Sequence, residues 1–197
     1  MMSDLTIRKP AARKRNSMEI IETPIDGLLV VKPKIFEDGR GYFYESWNKT
    51  VFSEKGIGVD FVQDNQSMSQ KNVLRGLHFQ NRPFAQAKLV RTVLGAVLDV
   101  AVDIRKGSAT YGKHFSIELN ENNKLMLFIP EGFAHGFLTL QDHTIFSYKC
   151  SHLYDKSSED CLLWNDADLA INWNTANPVI SEKDMHGKAF RTYTSLF

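Results

Sequence analysis

At 197 residues, with 43% apolar and 24% charged residues and a formal net charge of +1, the chain has an ordinary globular composition and room for one sizeable core. The near-neutral balance excludes a generic nucleic-acid binder, which needs a basic face, and no run approaches the roughly 20 apolar residues of a membrane helix. Cys150 and Cys161, 11 residues apart and without a Cys-x-x-Cys, suit neither a disulfide framework nor a zinc site. They read as buried thiols of a reducing, cytoplasmic compartment.

Residues 1–17 differ from the rest: Arg8, Lys9, Arg13, Lys14 and Arg15 against Asp4 give them +4 and leave about −3 for the remainder. They lack the apolar core of a secretory signal and read as a basic, disordered leader. Residues 18–197 then form one domain, since no repeat, low-complexity block or linker interrupts them. Strand signal begins at residues 27–31, and Pro33 demotes its end to an edge or bulge. Residues 36–47, F-E-D-G-R-G-Y-F-Y-E-S-W, contain hairpin chemistry at Asp-Gly-Arg-Gly, followed by a strand alternating Tyr42, Tyr44, Ser46 with Phe43, Glu45, Trp47. Residues 48–56 suit a short helix ended by Gly56.

Residues 61–67 are polar for a strand. They read either as a solvated edge or as a face on which Gln63 and Asn65, two apart, hydrogen-bond a polar ligand. Residues 75–95 form two strands around a polar turn at Asn81-Arg82-Pro83. In residues 95–105, Leu98, Val100, Val102 and Ile104 face one way, and Asp99 and Asp103 the other. Two carboxylates on a buried face need partners, and both are read as structural. Short strands continue through residues 113–119, 124–129 and 135–140, and residues 144–150 place Phe146 and Tyr148 on one face. Beyond Tyr154 the pattern weakens into loops, with a capping box at Ser181-Glu182-Lys183-Asp184. The fold class is all-β, a sandwich or barrel with a few short helices.

Two clusters carry the chemistry: R-G-L-H-F-Q with the downstream Lys88, and P-E-G-F-A-H-G-F at residues 130–137. Together they resemble the two-part signature of the cupin barrels, which implies a jelly roll. Two substitutions matter: Gln80 stands where the second metal-binding histidine would be, and Lys88 where the acidic ligand would be. A divalent ion wants neutral or anionic donors, and an ammonium repels it, so no metal is expected. A histidine and a lysine in an apolar barrel suit another task. The imidazole moves a proton near neutrality, and the ammonium stabilises charge developing on an oxygen. A phenol such as Tyr148 on another wall could return a proton to the opposite face. Each residue alone is more often structural, an inward histidine as a satisfied core group and a tyrosine as packing.

Over residues 36–184, about three quarters of the chain, the sequence resembles the dTDP-4-dehydrorhamnose 3,5-epimerases. The strings F-E-D-G-R-G-Y-F-Y-E, Q-D-N-Q-S, L-R-G-L-H-F-Q, Q-A-K-L-V-R, G-A-V-L-D-V-A-V-D-I-R, I-P-E-G-F-A-H-G-F and I-S-E-K-D carry the resemblance in order. It implies a homodimeric cupin-type jelly roll needing no metal or organic cofactor. It also implies that His78 is the base, Asp184 its orienting carboxylate and Tyr148 the proton donor. Lys88 and His135 would contact substrate, the lysine at the C4 oxygen; Arg40 and Arg75 would clamp the diphosphate. Glu45, Gln63 and Asn65 would surround the thymidine end, with Glu159 and Lys183 as further contacts.

The implied reaction converts dTDP-4-dehydro-6-deoxy-D-glucose to dTDP-4-dehydro-L-rhamnose. The alternatives are a 3-epimerase or 3,4-ketoisomerase of the same fold, a metal-dependent oxygenase, and a non-catalytic nucleotide-sugar-binding jelly roll. One tension remains in the strand pattern: Arg75 and His78 have opposite parity and reach one pocket only if the chain bulges near Gly76 or Arg75 lies at the strand's entry.

Overall fold

The alternation at residues 95–105 becomes a strand, Ala96–Asp103, apolar on both faces. Leu98, Val100 and Val102 pack outward into one cluster, while Val97 and Ala101 pack inward into another. The computed structural model describes residues 18–197, and the basic leader expected over 1–17 lies outside the described residues.

In chain order the strands are β1 (Glu19–Glu22), β2 (Leu29–Lys32), β3 (Phe36–Asp38), β4 (Gly41–Phe43), β5 (Gln63–Ser69), β6 (Val73–Gln80), β7 (Lys88–Leu94), β8 (Ala96–Asp103), β9 (His114–Asn120), β10 (Met126–Ile129), β11 (Phe133–Thr139), β12 (Thr144–Cys150), β13 (Glu159–Cys161) and β14 (Val179–Ile180). Helix α1 (Lys49–Glu54) follows β4 and α2 (Glu182–Met185) follows β14. One sheet runs β1-β2-β10-β7-β12-β5; the other runs β13-β6-β11-β8-β9, with β14 parallel to β6. The two facing sheets make an all-β jelly roll.

Between the sheets lies a core of Val30, Val90, Leu127, Ile129 and Phe146 from one side and Val97, Ala101, Leu119, Phe133 and Phe137 from the other. The C-terminal segment covers the outer face of the second sheet with Leu162, Leu169, Trp173 and Tyr193. Residues around α1 cover the first, with Phe52 and Ile57 fully buried. Full burial of each such large apolar side chain contributes about 1.5–3 kcal/mol. Asn48 caps α1 by accepting from the amides of Thr50 and Val51.

Several expectations are revised. The strand expected through Trp47 ends at Phe43, because Trp47 turns in against Phe52 and Phe61. β6 and β7, on either side of Asn81-Arg82-Pro83, pair with different neighbours, so the connection crosses from one sheet to the other. That crossover puts the side chains of β6 and β7 on opposite walls of one interior. Edge strand β5 presents Asp64, Gln66 and Met68 to solvent and turns Gln63, Asn65, Ser67 and Ser69 inward.

Candidate active site

The site begins with an irregularity in β6. His135 pairs with His78 and Phe137 with Arg75, so three steps along β6 match two along β11. The extra residue is a bulge at Gly76, whose φ is 129°. A β-carbon there would lie 2.5 Å from Gly136 Cα, and one on Gly136 would lie 2.8 Å from the Arg75 carbonyl oxygen, so both strands need glycine to approach this closely. The bulge brings Arg75 and His78, of opposite parity, to one cavity.

That cavity, ≈ 550 Å³, is lined by Ser67, Arg75, His78, Lys88, His135, Phe137, Tyr148, Glu159, Lys183 and Asp184, among others. On the wall formed by β6 and β11 stand two His-Asp pairs. His78 Nε2 lies 2.7 Å from Asp184 Oδ1, and Asp184 Oδ2 accepts from the Gly76 amide at 3.1 Å. Burial pushes the Asp184 carboxyl up, but His78 and the Gly76 amide outweigh it and hold it below its ordinary range. Ser181 caps α2 by accepting from the Asp184 amide at 3.2 Å. The cap expected at this sequence is present, and the Asp184 carboxylate also turns to the strand, where His78 and the Gly76 amide bind it.

His135, 6% exposed, is bound through Nε2 to both oxygens of Asp99 at 3.1 and 2.9 Å. Asp99 is 0% exposed and its hydrogen bonds among the described residues come from His135. Strand parity gives Asp99 and Asp103 the same structural expectation. Asp103 is bound by Arg105, Ser108 and Thr110, whereas Asp99 stands directly behind a cavity-lining imidazole. The inward parity of Asp99 on a buried strand was the signal; its partner, 36 residues away, was not visible in it.

The facing wall carries Lys88 and Tyr148. Lys88 opens β7 opposite Cys150 of β12, two residues from Tyr148 on the same face. Burial pushes the Lys88 ammonium below its usual range, against the opposing pull of Cys150, Asp99 and Glu159. Burial likewise raises the Tyr148 phenol, with Arg75 and Asn65 opposing it. The Arg75 guanidinium donates from Nε and Nη2 to Ser69 Oγ, each at 3.2 Å. At the mouth, Lys183 and Glu159 form a 2.6 Å ion pair, and Tyr154 donates its hydroxyl to Glu159 at 2.9 Å. Tyr154, 54% exposed, escaped the sequence reading because it sits where the strand pattern gives way to loops.

Four expected residues are not among those lining this cavity. Arg40 is on the β3-β4 turn, exposed and paired with Asp38 at 2.6 Å. Glu45 follows that hairpin and accepts from Asn48. Gln63 donates to Asn65 Oδ1 at 3.1 Å and accepts from the Tyr154 amide at 2.9 Å. Asn65 sits opposite Tyr148 on the inward face of β5 and donates to Cys150 Sγ at 3.7 Å.

For a metal, one trio among the described residues brings its donors within 4.8 Å of one another: His78, Cys161 and Asp184. Two of these, His78 and Asp184, are bound to each other at 2.7 Å, and burial pushes the Cys161 thiol up to about 12. Gln80, in the place of a cupin metal histidine, bonds the backbone at Phe84, Leu153 and Asp155 and serves to fix loops.

Comparison with known proteins bears on this geometry. Residues 22–192 match the family model described as dTDP-4-dehydrorhamnose 3,5-epimerase. The chain is 52% identical over 174 residues to the dTDP-4-dehydrorhamnose 3,5-epimerase of Shigella flexneri, covering 88% of this chain and 96% of that protein. Among solved structures, a dTDP-6-deoxy-D-glucose-3,5-epimerase from Legionella pneumophila in complex with dTDP-4-keto-L-rhamnose superposes with TM-score 0.86 at 46% identity, covering 90% of this chain and 95% of that one. A 3'-monoepimerase from Streptomyces bikiniensis in complex with dTDP-quinovose gives 0.81 at 31% identity, covering 86% and 87%. A bulged strand setting a histidine-carboxylate pair across a jelly-roll interior from a lysine and a phenol thus occurs in a chain that belongs to the dTDP-4-dehydrorhamnose 3,5-epimerase family.

Proposed function

We propose that this chain converts dTDP-4-dehydro-6-deoxy-D-glucose to dTDP-4-dehydro-L-rhamnose by inverting C3 and C5. The observation that carries the reading is the placement of His78, backed by Asp184, on one sheet and of Lys88 and Tyr148 on the facing sheet of the same cavity. The C4 carbonyl acidifies the neighbouring C–H bonds. His78, its Nε2–H donated to Asp184, takes the proton at Nδ1. Lys88 stabilises the enolate oxygen, and its burial strengthens that interaction. Tyr148 then delivers a proton from the other wall, which is what inversion requires. Arg75, Lys183 and Glu159 bind the nucleotide and phosphates, whose distance from the reacting carbons lets their binding energy position the ring.

Arg40 and Glu45 serve this reading through a second copy. They lie on or beside a hairpin that leaves Phe36, Tyr42 and Phe43 54%, 55% and 70% exposed, an apolar surface of the kind that marks an interface. We infer a homodimer in which each hairpin reaches its partner's cavity. Co-expressed Arg40→Ala and His78→Ala chains then regain activity in mixed dimers, and failure to do so removes Arg40 from the site. The buried free thiols accord with a cytoplasmic setting.

The deciding experiment for the reaction is turnover in deuterated water. Solvent deuterium at both C3 and C5 of the product is expected; label at C3 alone makes the chain a 3-epimerase, and no label makes it a binding module.

A further inference from the structure

The inward face of β5 carries four polar side chains where a core strand carries apolar ones: Gln63, Asn65, Ser67 and Ser69. Each needs a partner to be withdrawn from water. Gln63 bonds Asn65 and the Tyr154 amide, Asn65 donates to Cys150 Sγ at 3.7 Å, and Ser69 accepts from Arg75. Ser67 differs. Its Oγ is closed off from solvent and has no hydrogen-bond partner among the described residues, yet the residue lines the cavity that holds Arg75 and Tyr148. A buried hydroxyl without a partner destabilises the free protein, and alanine in its place would not.

We propose that the Ser67 hydroxyl is a substrate-binding group that donates to a phosphate oxygen of the bound nucleotide diphosphate. The inference rests on the nucleotide-sugar reading above. A serine hydroxyl passes readily between staggered positions, so the oxygen turns into the cavity when an anionic acceptor arrives. The neighbours select phosphate. Ser67 is two residues from Ser69 on one face of the strand, and Ser69 braces the Arg75 guanidinium. A guanidinium and a hydroxyl donating side by side suit an anionic oxygen.

The test is Ser67→Ala, with dTDP affinity measured by titration calorimetry and the free protein's Tm measured alongside. The dTDP Kd is expected to rise about tenfold, the size of one hydrogen bond to a charged group, while Tm holds or rises because an unpaired buried hydroxyl is gone. Thr139 provides the control: its Oγ1 is also buried and without a partner among the described residues, but the residue is not among those lining the cavity, so Thr139→Val leaves the dTDP Kd unchanged. An unchanged Kd in Ser67→Ala overturns the proposal, and so does an equal loss in Thr139→Val. Failure of the underlying reading looks different: the wild-type chain itself would neither bind dTDP nor exchange carbon-bound protons of the 4-keto sugar nucleotide.

Discussion

His78 and His135 stand directly opposite each other on β6 and β11, each with a buried carboxylate at its Nε2. The two pairs face one cavity, and the proposed function gives them different work. Asp184 holds the group assigned as base, so Asp184→Asn should lower kcat about 10²–10⁴-fold, the range for losing general base catalysis, with little change in KM. Asp99 holds an imidazole assigned to binding, so Asp99→Asn should raise KM more than it lowers kcat. Steady-state kinetics on the two variants checks the division, and identical effects would show that the pairs act as one unit.

Tyr148, as the proposed proton donor, would separate the two halves of the reaction. If His78 removes the proton and the phenol returns one from the facing sheet, Tyr148→Phe should leave the first half intact. NMR in deuterated water should then find substrate that has gained deuterium without inverting, alongside strongly reduced product. Full inversion in this variant would assign the donor's role to another group.

The fold and most of the wall residues were legible because β-strand period and glycine chemistry are local. The alternation at Phe146 and Tyr148 puts both rings on one face, and the opposite parity of Arg75 and His78 requires either a bulge near Gly76 or Arg75 at the strand's entry, of which β6 has the bulge. What stayed hidden depends on distant pairing. Asp99 meets His135 across β8 and β11, and nothing near Asp99 in the chain indicates that its partner is an imidazole lining a cavity. Arg40 carried a correct hairpin signal, but a turn's chemistry does not say which surface the hairpin meets.

Asp103 sets part of the acid limit of the fold. Burial alone would raise its carboxyl, but Arg105, Ser108 and Thr110 hold it at about 2, against an ordinary 3.8. A depressed folded value means the contribution is complete above the unfolded pKa and is lost as pH falls through the folded one. At roughly 1.4 kcal/mol per pKa unit, the loss between pH of about 4 and about 2 is on the order of 2 kcal/mol. Urea unfolding across that range should show a decline that flattens in Asp103→Asn, a variant less stable than wild type at neutral pH. Parallel declines in the two proteins would place the acid sensitivity elsewhere.

Gly76 links the backbone to the chemistry. Its positive φ admits the bulge, its amide fixes Asp184, and its missing side chain lets β6 lie against Gly136. In Gly76→Ala the new methyl would meet Gly136 Cα at 2.5 Å, backbone that cannot yield as a flexible side chain would. Strain and overpacking together should cost about 2–4 kcal/mol. Activity should fall further than stability accounts for, since any shift of the strand moves His78 and Asp184 apart. Gly58→Ala is the comparison, because nothing among the described residues lies within 4 Å of a β-carbon there, and it should leave both properties near wild type. Thermal unfolding and deuterium exchange at C3 and C5 report on the two effects separately. A Gly76→Ala protein that unfolds and exchanges like the wild type would mean that the strand reaches the same geometry without the freedom only glycine has.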